Sequence, residues 1–206
     1  MKFTKQIYLL GFILVLFSSC AKIFSTPDAY SLAQKQKTIA IIAPVISIAA
    51  NKKIDAEAMK EQQKTESINF QKEIYAWMLR RKMQGKITQE IQETETTNAK
   101  LKKAGYPETP LTSAEICGVL GVDGIMTSNF GLSKPMSEGA ALVGLFFFGF
   151  NGATNQIYAS ISINDCGGKK LIWNYNHKVS GGIGSSVSST VDGLMRHASR
   201  KMPYVR

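Results

Sequence analysis

Thr38–Val45 reads TIAIIAPV, an apolar, β-rich run with no polar position to turn toward water. Such a run, too short for most helices and without alternation, is expected of a strand covered on both faces, which demands layers above and below a central sheet. Pro44 marks its end. Phe70, Ile74, Trp77 and Met78 then recur at helical spacing and place one apolar stripe on a helix from about Glu66 to Gln84, closed by Gly85. Ile87, Gln89 and Ile91 alternate with Thr88 and Glu90, the pattern of a half-buried strand.

Thr97–Ala104 reads as a short helix stopped by Gly105. Thr112-Ser113-Ala114-Glu115 is a capping box, with Ile116, Val119 and Leu120 facing inward until Gly121 ends the turn. Val122–Phe130 is the next strand. Ile157, Ala159, Ile161 and Ile163 alternate with polar partners, and after the turn at Asp165–Lys169 the residues Leu171, Trp173, Tyr175 and Val179 repeat the pattern as the second arm of a hairpin. Ser185 is positioned to cap a last helix running to about Met202. The order of elements predicts an α/β fold: one mixed β-sheet with flanking helices, in a single domain from 38 to 206.

The first residues are of a different kind. Lys2 and Lys5 precede an apolar run from Ile7 to Phe17 that stops at Ser18-Ser19-Cys20. The run is well short of the roughly 20 residues a spanning helix needs and has the layout of a secretory signal peptide, 1–19. Small residues directly before Cys20 resemble the lipobox of bacterial lipoproteins, in which the cysteine becomes the first mature residue and carries the acyl chains. Two or more chains hold a protein stably on a bilayer. The resemblance makes Cys20 the lipidation site, and residues 20–37, mixed in composition, read as its tether.

The chain carries a formal charge of +10 over 206 residues, and removing 1–19 takes Lys2 and Lys5 and no acid, so the mature protein stays basic. An exported protein without a zinc finger or an arginine-rich recognition element is not expected to bind nucleic acid; the anions it meets are lipid, lipopolysaccharide and cell-wall polymer.

Little in the chain points to a reaction. His177 and His197 are the only histidines, and neither a HExxH nor a paired-cysteine spacing is present to hold a metal. No Gly-x-Ser-x-Gly elbow occurs. Asp123 and Asp165 fall in turns, where their side chains serve the backbone. The glycines at 181, 182 and 184 with Ser185 and Ser186 precede a helix and offer amides to an anion, but a flexible turn with a cap explains them equally. Cys117, beside a buried helix face, and Cys166, at a hairpin tip, are able to bridge in an oxidising compartment; the residues leave pairing open. The expectation is therefore a non-enzyme without cofactor, metal or small-molecule substrate.

One segment stands apart. Between about 132 and 155 an insertion carries Leu142, Leu145, Phe146, Phe147, Phe148 and Phe150, a concentration of apolar surface unfavourable in water. These six residues either pack on the domain's own core or meet a bilayer or another subunit.

Leu120–Thr127 (LGVDGIMT) resembles the "LGVDAVLTG" segment of the TolB amino-terminal-like fold used by the CsgG and LpoB lipoproteins. Ile163–Trp173 resembles the "DxxTGKxLW" hairpin of that fold, with Cys166 where a small or polar residue is usual, and Lys134–Ala141 is similar to a segment of Bacteroidetes lipoproteins. The likeness extends from about Thr38 to Pro203. Ala21-Lys22 follow Cys20 without the Asp that signals inner-membrane retention in enteric lipoproteins, so the expected place is the outer membrane, lipid-anchored and facing the periplasm. The expected role is that of an accessory or assembly factor in envelope biogenesis or secretion, through an envelope protein partner or as a homo-oligomer. The alternative is an oligomeric pore or secretion component that inserts its Phe-rich loop into the membrane.

Overall fold

The computed structural model describes residues 21–49, 55–132, 155–181 and 186–206, with the backbone alone at 155–156 and 179–181. In chain order the elements are β1 (Lys22–Ser25), α1 (Ala29–Lys35), β2 (Thr38–Ile41), β3 (Val45–Ile48), α2 (Ala56–Met83), β4 (Glu90–Ile91), α3 (Thr94–Lys103), α4 (Ser113–Leu120), β5 (Gly124–Leu132), β6 (Asn155–Asp165), β7 (Lys170–Gly181) and α5 (Val187–Ala198). The strands form one sheet in the order β1-β7-β6-β5-β2-β4, with β3 continuing alongside β5. Pairing is parallel for β4, β2, β3 and β5 and antiparallel for β5, β6, β7 and β1. This is the mixed α/β arrangement the element order predicts. Among the described residues no helix is long and apolar enough to cross a membrane.

The TIAI strand is covered on both sides. Ile39 and Ile41 enter a core with Phe70, Ile74, Trp77 and Met78 of α2 and Val191, Leu194 and Met195 of α5. Ala40 and Ile42 face the opposite core, with Leu101 of α3 and Ile116 and Leu120 of α4. Pro44 divides the expected single strand. β2 stops at Ile41, paired with Met126, and β3 resumes at Val45, paired with Asn129. Four steps on one side therefore oppose three on the other, a one-residue irregularity at the residue that lacks a donor.

Three sequence expectations are corrected. Residues 21–37 are not a tether: β1 pairs antiparallel with β7, Ile23 opposite Tyr175, and α1 buries Ala29 and Ala33 in the main core. All four β1 residues are exposed, so the strand lacks the alternation by which edge strands are recognised. The helix α2 starts at Ala56 rather than near Glu66, capped by Asp55, whose Oδ2 accepts from the Ala58 amide at 3.3 Å. Its first turns are helix-forming but polar, and an apolar stripe does not mark them.

The third correction lies in the hairpin. Ile163 pairs with Trp173, but Asn164 pairs with Leu171, so Ile172 is an extra residue bulged out of the ladder. Trp173 and Tyr175 point into the core as expected, while the bulge turns Ile172 inward as well and leaves Leu171 39% exposed. Smaller shifts affect the ends of elements. α3 begins at Thr94, the strand expected at 87–91 is reduced to β4, and α5 is capped by Ser186, not Ser185, its Oγ accepting from Ser189 N at 3.1 Å. α5 stops at Ala198, and the chain beyond it buries Met202 and Tyr204.

Candidate functional site

At the end of the sheet where β5 begins and the β6–β7 turn closes, three segments are tied by a buried polar chain. The Tyr204 hydroxyl donates to Gln36 Oε1 at 2.5 Å, Gln36 Nε2 donates to Asp165 Oδ1 at 2.8 Å, and Asp165 Oδ2 accepts from Gly168 N at 2.6 Å. Burial, followed by the charges of Asp165 and Asp123, holds the Tyr204 hydroxyl far above the ordinary phenol range. It is therefore a permanent donor. Gly124 makes the chain possible, because a Cβ there would lie 2.1 Å from Gln36 Oε1 and 2.7 Å from Tyr204 Oη.

Asp123 works beside it as a backbone clamp. Its Oδ2 accepts from Lys37 N at 2.8 Å and from Thr38 N at 2.9 Å, and its carbonyl accepts from Cys166 N. Both aspartates thus serve turns and amides, as their sequence positions suggest. The capping box on α4 is present in full, and its hydrogen bonds to Thr112 hold the Glu115 carboxyl below the usual range.

Cys117 of α4 and Cys166 of the turn are joined in a disulfide. The pairing left open above is thereby settled in favour of a bridge: the hairpin tip folds back over the second core, where Cys166 packs against the cluster containing Cys117. The bridge lies in an open cleft of about 880 Å³, with Leu32 and Val122 as apolar lining and Lys35, Lys169 and Lys170 at its edge. Lys170 is paired with Asp28 at 2.6 Å. The carboxylates in this cleft are committed to amides or to Gln36 and the cysteines to each other, so what it offers is surface and charge for binding.

The two histidines come together across the α5–β7 packing with ring centroids 6.1 Å apart. Burial and then the proximity of His197 hold the His177 imidazole below its ordinary value. Trp173 Nε1, Tyr175 Oη and His177 Nδ1 are buried along this stripe of β7 with no hydrogen-bond partner among the described residues. No group of three or more His, Cys, Asp or Glu able to hold a metal occurs among the described residues. The candidate lipidation residue Cys20 and the apolar set Leu142, Leu145, Phe146, Phe147, Phe148 and Phe150 lie outside the described residues, as do Gly182, Ile183, Gly184 and Ser185 of the glycine-rich turn.

On the outer face of β6 and β7, Asn174 Nδ2 donates to Ser160 Oγ at 3.1 Å and Ser162 Oγ at 2.9 Å, so this side of the hairpin is a lattice of short polar side chains. Tyr158 and Phe24, 56% and 51% exposed, add large apolar groups to that side.

No protein-family model matches the chain, and no curated protein matches it. Among solved structures it is similar to a PelC dodecamer from Paraburkholderia phytofirmans, at 10% identity over 91% of this chain and 98% of that one, with a TM-score of 0.40. It is also similar to lipoprotein GNA1162 from Neisseria meningitidis (10% identity, 81% and 97% covered, TM-score 0.43) and to the LpoB C-terminal domain from Escherichia coli (10% identity, 74% and 96% covered, TM-score 0.34).

Proposed function

We propose that the chain is a lipid-anchored envelope protein of the outer membrane, facing the periplasm, that acts without enzymatic chemistry as an accessory or assembly factor in envelope biogenesis or secretion. The observation that carries this reading is the sequence Ser18-Ser19-Cys20 closing a short apolar run behind Lys2 and Lys5. It gains support from a basic net charge, a disulfide suited to an oxidising compartment, and a cleft whose carboxylates and cysteines are spent on structure. Fractionation tests it. Cys20→Ser in the full chain should lose retention on membranes washed with salt and carbonate, because weak electrostatics cannot replace two or three acyl chains; unchanged retention rejects the anchor.

A second reading, an oligomeric pore or secretion component, has one specific support. β5 and β6 are adjacent antiparallel strands with Leu132 opposite Ile157, so residues 133–154 join neighbouring strand ends for which two to five residues suffice. Replacing Phe146, Phe147 and Phe148 together with Ser separates the possibilities: retained thermal stability with loss of liposome binding or of higher-order species supports a contact surface, and a large fall in stability supports internal packing.

A further inference from the structure

The C-terminal ends of α2 and α5 meet the last residues of the chain in a recess of about 290 Å³. It is lined by Arg81, Lys86, Ser199, Arg200, Val205 and Arg206. Among the described residues no Asp or Glu lines it, and the described ion pairs, Lys64–Glu61, Lys82–Glu90, Lys170–Asp28 and Arg196–Asp192, use none of its four cations. Cations at helix C-termini are expected from the helix dipole, but each helix end accounts for only about half a charge. Two helix ends therefore offset roughly one of the four positive charges. Even if the α-carboxylate of Arg206 is set against the rest, a surplus of about two charges remains.

Two of the cations are held in place by neutral groups. Arg81 lies over the Trp77 ring, its guanidinium carbon 4.8 Å from the centroid, and its Nη1 donates to Gln84 Oε1 at 2.8 Å. Arg206 donates from Nε at 3.1 Å and Nη2 at 2.7 Å to Gln34 Oε1, and Gln34 Nε2 donates to the Pro203 carbonyl. Main-chain bonds tie the third residue's backbone to the recess, since Lys86 N donates to Arg81 O and Arg206 N donates to Lys86 O. Amide oxygens and an aromatic face orient the guanidinium groups without cancelling their charge, so rotational freedom is lost before a ligand arrives while the attraction for an anion is kept.

From this geometry we infer that the Arg81–Lys86–Arg200–Arg206 recess is a binding site for a phosphate group. A phosphate monoester carries nearly two negative charges at neutral pH, against one on a carboxylate, and so matches the surplus; its oxygens also suit guanidinium forks. The group has two possible sources, a phospholipid headgroup or a soluble phosphate. The site does not depend on Cys20 or on the proposed role of the protein.

The test uses the full chain in dodecyl maltoside at constant ionic strength set with chloride, titrated calorimetrically with inorganic phosphate and, separately, with dihexanoylphosphatidic acid, the lipid whose headgroup is a phosphate monoester. Tryptophan emission is recorded in parallel, because Trp77 lies beneath Arg81. Saturable binding is expected with at least one probe, with an emission change. Arg81→Gln and Arg200→Gln should each weaken it about tenfold or more, and Lys102→Gln on α3 should leave it unchanged. Tighter binding of phosphatidic acid assigns the source to lipid, and tighter binding of phosphate assigns it to a soluble ligand. If Arg81→Gln lowers the thermal midpoint, Arg200→Gln, whose side chain is exposed, decides alone. Absence of saturable binding with both probes, or wild-type affinity in Arg200→Gln, overturns the site.

Discussion

Tyr204 donates its buried hydroxyl to Gln36 Oε1, and the pair lies against Gly124 at the first position of β5. Tyr204→Phe leaves that oxygen buried with a partner removed and should cost about 1–3 kcal/mol in urea unfolding. Gly124→Ala drives a methyl into the same pair and should cost a similar 1–3 kcal/mol or more through overpacking. Gly118→Ala is the control, since nothing lies within 4 Å of its Cβ position. It sits within α4 and should stabilise by about 0.5–1 kcal/mol. A Gly124→Ala protein as stable as Gly118→Ala would contradict the packing described here.

The Cys117–Cys166 bridge closes a loop with a sequence separation of 49. Constraint of the unfolded chain by a loop of that size corresponds to roughly 4 kcal/mol at most, and 2–4 kcal/mol is usual. Cys117→Ala with Cys166→Ala should lower stability by that amount, and added reductant should shift the wild-type midpoint while leaving the double variant unchanged.

Trp173 and Leu171 test the bulge. Trp173→Ala removes a fully buried ring and should cost roughly 3–5 kcal/mol. Leu171→Ala, on an exposed side chain, should stay within about 0.5 kcal/mol, whereas Ile172→Ala should cost about 2–5 kcal/mol. A regular strand would group Leu171 with Trp173 instead, so an expensive Leu171→Ala and a harmless Ile172→Ala would remove the bulge.

His177 gives the stability a pH dependence near neutrality. Its folded value lies below the ordinary 6.5 because of burial and then the proximity of His197. The unfolded chain therefore binds this proton more readily, and stability rises with pH across the window between the lowered folded value and 6.5. The contribution is complete above that window and is lost as the solution is acidified through it, with a slope of at most about 1.4 kcal/mol per pH unit. Carboxylates with lowered values, such as Glu115, act in the same direction but only in more acidic solution. Urea midpoints between pH 5 and 7.5 should fall on acidification in the wild type and flatten in His177→Asn.

The parts legible in the sequence are those in which packing imposes a period. The apolar stripe of α2, the Thr112–Glu115 capping box, the inward set Ile157, Ala159, Ile161 and Ile163, and the buried triplet Ile87, Gln89 and Ile91 all stand where their spacing places them. What escaped has no period to read. β1 is exposed at every residue, and its pairing with β7 leaves no alternation in its own sequence. The Ile172 bulge shifts one side chain between two otherwise regular arms. The Gln36–Tyr204 contact joins residues 168 positions apart, and neither shows a partner from its own neighbourhood. The phosphate recess was invisible for the same reason, since Arg81, Lys86, Arg200 and Arg206 come together only when two helix ends do.

With Lys22 already in β1, a single residue, Ala21, separates position 20 from the sheet. Whatever holds residue 20 is riveted to the domain rather than leashed to it. A pull there has no slack to take up and loads the β1–β7 ladder directly, where Lys22 meets Asn176 and Ser25 meets Trp173. The next resistance is the Asp28–Lys170 pair at the start of α1. If residue 20 is the anchored position, the domain sits close against its support, and its partners have to come within its own radius, because no linker lets it reach out to find them.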